Sequence, residues 1–565
     1  MKLKTYFNAA LLCLAAGLLA ACADDIMGDG NKDKQAKEEV KGVKFTTNEP
    51  KTRAMSRALV DDDGNVVEQT ATRTLIKHTP GLGADAYWDA DDYIFVKNKY
   101  NQWKKSIAIS LFDDGRSAEF TLPGAPDDYA EGCEVRYTIT PSLLVDEADA
   151  AIIPFNQTQS APNDFSHAGR VGDSGIGTAH DKGNGMFNFE LQHLPHYLCF
   201  LPRCENASLA NNIRLTKIHL ENDNSDGTTE VVGATYLLDQ DPFNSVGIDT
   251  RYNVIELQST DGNGFPIATT TADAAADACY MAILPGEHDL ILTYTIKDPT
   301  TNIETKITKK VSGTFKAGEI TDITSNLSLR NQPMYYTWDS ENNIGDLKYD
   351  SSSPTTLSAI YATIYAFGFE DENEPVPGAK AHVDITVSPT NPKRIDATHT
   401  YMNGVPNVNE MMWYAYKGDA RWVNQGPVIA VFGKLVRTAG VWLKKKAKIL
   451  ADEHITEAYM RDGFALGGGA YTDYRINPLN GTAPRVSVGT SLPTNLDDYF
   501  FVPALGCYDH YGINWYDYSN PEGYYWTSSG APTSPSVAYG LYFSQTGISI
   551  KENYVYNPYC VLPFE

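Results

Sequence analysis

After its first two dozen residues the chain has no apolar run long enough to cross a bilayer as a helix, so the sequence excludes helical membrane spans in the body of the protein. Positive charge is scarce. Lys and Arg number 46 against 71 Asp and Glu, a formal net charge of −25, and the isoelectric point is about 4.8. So acidic a surface argues against nucleic acid and against direct binding to anionic lipid. Metal-binding spacings are missing as well: no CxxC occurs, and Cys199 and Cys204, with four residues between them, lack a second half-site. His193 and His196, read as one strand, would point to opposite faces. The acidic loops Asp61–Gly64 and Asn222–Gly227 read as turns, because Gly233 stands where a calcium loop needs its bidentate Glu. There is no G-x-S-x-G, no H-E-x-x-H and no Gly-rich phosphate loop followed by Lys. The expectation is a protein that is not an enzyme and needs no cofactor or metal.

What is present begins at the N-terminus. Lys2 and Lys4 precede an apolar run from Ala9 to Leu19, closed by Leu19-Ala20-Ala21-Cys22. This reads as a secretory signal (residues 1–21) ending in a lipobox, with Cys22 as the lipid attachment site and the outer membrane as destination. A plain signal peptide that happens to contain a cysteine is the other reading. A polar tether, Ala23 to Glu39, has too little apolar content to fold alone. Next, Val43, Phe45 and Thr47 alternate with Lys44 and Thr46, the pattern of a short strand. Two arginines followed by small residues come directly after it, Arg53 and Arg57, and both read as candidate proteolytic processing sites.

With 565 residues the chain is long enough for three or four domains, and its 34 tyrosines favour β-structure. From Thr70 to about Glu190 short alternating segments are broken by Gly, Asp and Pro. A second such series runs from Leu191 to Leu329, including the strict alternation of Leu290, Leu292, Tyr294 and Ile296. Both patterns are those of β-sandwiches. The order of Cys22, the Val43–Thr47 strand and Arg53 or Arg57, followed by this β-text, resembles the fimbrillin (type V pilin) family of Bacteroidales. The resemblance implies a lipid-anchored propeptide (residues 22–57), whose first strand an Arg-specific surface protease removes. It also implies two tandem transthyretin-like sandwiches, 58–190 and 191–335, the first opened to accept a donor strand from another pilin subunit.

Composition changes at 331–354 to Asp, Asn, Ser and Tyr with little periodicity, which reads as a linker. Beyond it a helix start is signalled by Asn407 or Asn409 as cap, and Lys448 to Met460 reads as an amphipathic helix. The blocks Tyr499–Gly506, Gly523–Ser529, Ala538–Phe543 and Cys560–Phe564 resemble the major paralogous domain of Fibrobacter, of C-type-lectin-like and formylglycine-generating-enzyme-like fold. That resemblance implies an α+β tip domain over 336–565 in a mainly β chain. The calcium-binding tripeptides of sugar-binding lectins are absent, and an enzyme of formylglycine-generating type is the weakest reading. Aromatic residues crowd one loop, so His510, Tyr511, Trp515, Tyr516 and Tyr518 are candidates for contact with a glycan or protein receptor. With Cys13 in the signal and Cys22 lipidated, six cysteines remain, and Cys507 and Cys560, at the ends of two strands, read as a cross-strand disulfide. Together these features predict a surface-exported fimbrial subunit, a tip adhesin with Tyr559–Phe564 built into its last domain. The alternative is a glycan-binding lipoprotein that assists polysaccharide capture.

Overall fold

A computed structural model describes residues 41–47, 56–60, 66–67, 75–138 except 82, 148–223, 225, 231–238, 251–269, 273–329, 334–336, 338–339, 394–507 except 432, and 521–564 except 533, 535, 556 and 558. Strands dominate, as the alternating patterns require. They group into three bodies of core.

The first is an eight-stranded sheet. Its order is Trp103–Lys105, Phe95–Lys97, Cys133–Thr138, Ser174–Gly183, Met186–His193, Val43–Thr47, Ser117–Leu122 and Ala108–Phe112. Trp88 touches Phe120 at 4.9 Å and Tyr137 at 5.4 Å between ring centroids. Those two rings stand on strands four places apart, about 19 Å in a flat sheet. The sheet therefore curls over its own core of Val43, Phe45, Phe120, Val135, Phe187 and Phe189.

The second body is a two-layer sandwich. One five-stranded layer contains Arg214–Asn222 and the long hairpin Gly286–Asp298/Ile303–Phe315. The other runs Cys279–Ile283, His196–Arg203, Glu319–Asn326, Ser56–Val60, Val66–Val67. Leu220, Leu292 and Tyr294 from the first meet Leu198, Phe200 and Ile323 from the second. Chain order and sheet membership differ here. Ser56–Val60 pairs in parallel with Glu319–Asn326, and the hairpin Leu75–Thr79/Gly83–Tyr87 packs on the outer face of that same layer. Residues from the end of the expected propeptide and the start of the first expected domain thus complete the second sandwich.

The third body places Val408–Lys417, a helix capped by Asn407 with Glu410 reciprocating, beside the sheet Met334–Tyr336, Tyr559–Val561, Glu522–Gly530, Val537–Ser544, Gly547–Tyr554. Met334–Tyr336 falls in the expected linker yet forms an edge strand, and Trp338 is buried with its Nε1–H donating to the Thr527 carbonyl at 2.9 Å. The helix expected over Lys448–Met460 is two, Lys446–Glu453 and Glu457–Asp462. His454 adopts the left-handed conformation (φ 55°) that stops the first, and the Thr456 hydroxyl caps the second. A hairpin from this body, Val428–Val431/Lys434–Arg437, places Ala430 and Leu435 in the core of the second sandwich. The Leu435 N–H donates to buried Asp298 at 3.1 Å, and at Gly433 (φ 72°) a Cβ would lie 2.6 Å from the Ser208 carbonyl.

Candidate strand-exchange site

The Val43–Thr47 strand forms where the sequence places it, and its neighbours define a slot. It runs antiparallel to Ser117–Leu122, with Phe45 opposite Phe120. On its other side it runs parallel to Met186–His193, with Phe45 opposite Phe187. Those two strands meet only through it. Val43, Phe45 and Thr47 face inward and are buried, while Lys44 and Thr46 are partly exposed. The Phe45 ring stacks on Phe187 at 4.7 Å and meets Tyr129 edge-on at 5.2 Å. The Thr47 hydroxyl accepts from the Ala118 N–H at 3.0 Å, and Lys44 pairs with Glu119 at 2.9 Å. Burying a Val and a Phe side chain contributes about 1.5–3 kcal/mol each. A chain without this strand would expose an apolar trough flanked by two rows of unpaired N–H and C=O groups.

Arg57 stands inside the Ser56–Val60 strand, its backbone opposite Ile320. Cys22, Arg53 and the loop residues His510, Tyr511, Trp515, Tyr516 and Tyr518 lie outside the described residues. The expected Cys507–Cys560 disulfide is absent, and both residues are buried thiols. They lie on the same side of Glu522–Gly530: Cys507 follows the Gly506–Gly523 bridge, and Cys560 stands opposite Tyr525, whose hydroxyl donates to the Pro503 carbonyl at 2.6 Å.

At the other end of the chain Tyr559–Val561 is also an interior strand, antiparallel to Met334–Tyr336 and parallel to Glu522–Gly530. Phe564 is buried against Tyr414 and Phe500, each 5.1 Å away between ring centroids.

His193 and His196 are buried, each with its own partners. His193 Nδ1 meets the Asp173 carboxylate at 2.6 Å, and His196 Nδ1 meets the Lys316 carbonyl at 2.8 Å. Burial pushes the His196 imidazole down to about 3, so it stays neutral. One cluster that sequence spacing did not signal lies nearby: His78, Cys199 and Asp322 offer ligand atoms all within 4.8 Å of one another. Their separations of 121 and 123 positions give no local motif.

No family model matches the chain, and no curated protein does. Among solved structures it is similar to a candidate cell adhesion protein of Bacteroides uniformis, at 15% identity over 49% of this chain and 94% of that one, with a TM-score of 0.27. A candidate cell adhesion protein of Bacteroides fragilis matches at 10% identity over the same shares, 49% and 94%, with a TM-score of 0.25. A fimbrial protein of Bacteroides ovatus matches at 10% identity over 90% of this chain and 97% of that one, with a TM-score of 0.18. At such scores the likeness decides neither fold nor role.

Proposed function

We propose that this chain is a surface-exported fimbrial subunit whose first strand is a removable plug, assembled by strand exchange and placed at the fibre tip. The observation that carries this reading is the position of Val43–Thr47: an interior strand, near the start of the described residues, whose departure separates two strands that do not otherwise pair. A strand from another subunit with apolar residues at alternate positions would fit the same trough. Processing at Arg53 would release the plug and leave Ser56–Val60 whole. Cleavage at Arg57 would cut within a strand already paired to Glu319–Asn326, and proteases need an extended, unpaired backbone. In this reading Cys22 carries the lipid that takes the precursor to the outer membrane, and the aromatic loop of the last, C-type-lectin-like domain meets a glycan or protein receptor. Residues 559–564, held between two strands and by Phe564, are a poor donor, and Pro563 lacks a ladder N–H.

The test is limited digestion of the full chain with an Arg-specific protease. Cleavage after Arg53, followed by uptake of a labelled strand peptide only in the digested sample, supports the reading. A mature N-terminus still at Cys22 on assembled fibres, or self-assembly that depends on residues 559–564, would overturn it. Metabolic labelling with a lipid analogue should mark the native chain and fail with Cys22→Ser.

A further inference from the structure

The cluster of His78, Cys199 and Asp322 belongs to none of the roles above. Cys199 and Asp322 are lateral neighbours on the parallel strands His196–Arg203 and Glu319–Asn326, so their side chains share a face. His78 reaches that face from the hairpin Leu75–Thr79/Gly83–Tyr87. All three are buried, inside a shell that includes Ile76, Phe165, Tyr197 and Leu201.

The hydrogen bonds around His78 and Asp322 orient their polar atoms toward one another. His78 Nδ1 lies 2.8 Å from the Gly83 carbonyl, which can only accept, so Nδ1 carries a proton. Nε2 then faces the Asp322 carboxylate, 2.5 Å away. Two acceptors at this distance require a cation between them, a proton or a metal ion. The outer contacts are those that orient ligands in metal sites: a backbone carbonyl on the far nitrogen of the histidine, and the Gly81 N–H on the second carboxylate oxygen at 2.9 Å. Gly81 and Gly83 have φ of 83° and 94°, which lets the turn present both groups at once.

We propose that His78 Nε2, Cys199 Sγ and Asp322 Oδ1 form a zinc site that fastens the 75–87 hairpin to the second sandwich. Imidazole, thiolate and carboxylate together suit zinc, with water in the fourth position. Zinc–ligand bonds of 2.0–2.3 Å put ligand atoms about 3.5 Å apart, so the His78–Asp322 contact opens by about 1 Å on loading. Two protons leave: one from the Cys199 thiol and the one shared by His78 and Asp322. The resulting thiolate and carboxylate balance the 2+ charge. This assignment stands whether or not the chain is a pilus subunit.

The experiment uses the full chain, stripped with a chelator and titrated with Co²⁺ and then Zn²⁺. One Co²⁺ per chain with a thiolate-to-cobalt absorption band, bleached by Zn²⁺ and lost in Cys199→Ser, is the expected result. Zn²⁺ should raise the melting temperature of the stripped chain, and His78→Gln should weaken binding by tenfold or more. Absence of the band in the wild-type chain, or its persistence in Cys199→Ser, overturns the proposal and leaves a proton as the shared cation. The wild-type spectrum decides the matter even if either variant fails to fold.

Discussion

Two short strands lie in the interior of their sheets, Val43–Thr47 near one end of the described chain and Tyr559–Val561 near the other, and they are held in opposite ways. Among the described residues the first is held by what lies beside it: ladder bonds on both edges and the seats of Val43, Phe45 and Thr47. The second is held by its sequence neighbours too, since Phe564 anchors the chain in the aromatic core a few residues on. A strand held laterally can be replaced by another of like pattern. A strand tied into the core along the chain cannot leave without unfolding its domain. Interior position alone does not make a strand exchangeable; the contacts of the residues next to it decide.

The largest expected effect is at Phe45. Phe45→Ala should cost about 3–5 kcal/mol, read in urea melts as loosening of the eight-stranded body, and should speed loss of the strand after cleavage at Arg53. An unchanged exchange rate would remove the distinction between the two ends. Phe564→Ala should cost about 3 kcal/mol, lowering the melting temperature of the C-terminal body without exposing residues 559–561 to strand capture. If the variant polymerised, the C-terminal strand would be a donor after all.

Acid separates the bodies further. Burial pushes His167, in the second sandwich, down to about 4, despite its bond to the Tyr280 carbonyl and the nearby Asp164. A base depressed in the folded state contributes stability above its unfolded value near 6.5 that is lost as pH falls toward 4. Burial raises Asp92, beside Tyr137 in the first body, to about 6, and this contribution has the opposite sign: it is present below about 4 and lost as pH rises to 6. Between pH 7 and 4.5 His167 should therefore weaken the second sandwich while Asp92 steadies the first. His167→Gln should reduce that loss by on the order of 2 kcal/mol, measured by urea melts at the two pH values. The smallest effect is at the surface: Lys44→Ala, removing the half-exposed pair with Glu119, should change stability by about 0.5 kcal/mol and leave exchange intact.

Local patterns were legible because they depend on residues a few positions apart. The period-2 burial of Val43–Thr47, the capping box at Asn407 and Glu410, and the long hairpin ending near Phe315 follow from alternation and side-chain type alone. The break at His454 was hidden, since helical periodicity continues through a single left-handed residue. Sheet membership was hidden more deeply. Ser56–Val60 and Leu75–Thr79 follow Val43–Thr47 in the sequence, yet they complete the second sandwich, because the pairing partner of a strand edge is chosen by the whole fold. The composition and the N-terminal blocks determined an acidic, β-rich chain with a strand followed by two arginines. Only the tertiary structure decided that this strand plugs a slot between two others, that Arg57 lies within a paired strand, and that His78, Cys199 and Asp322 meet. Sequence dictates the short-range preferences of the backbone, whereas convergence of residues more than a hundred positions apart needs the packing of complete sheets.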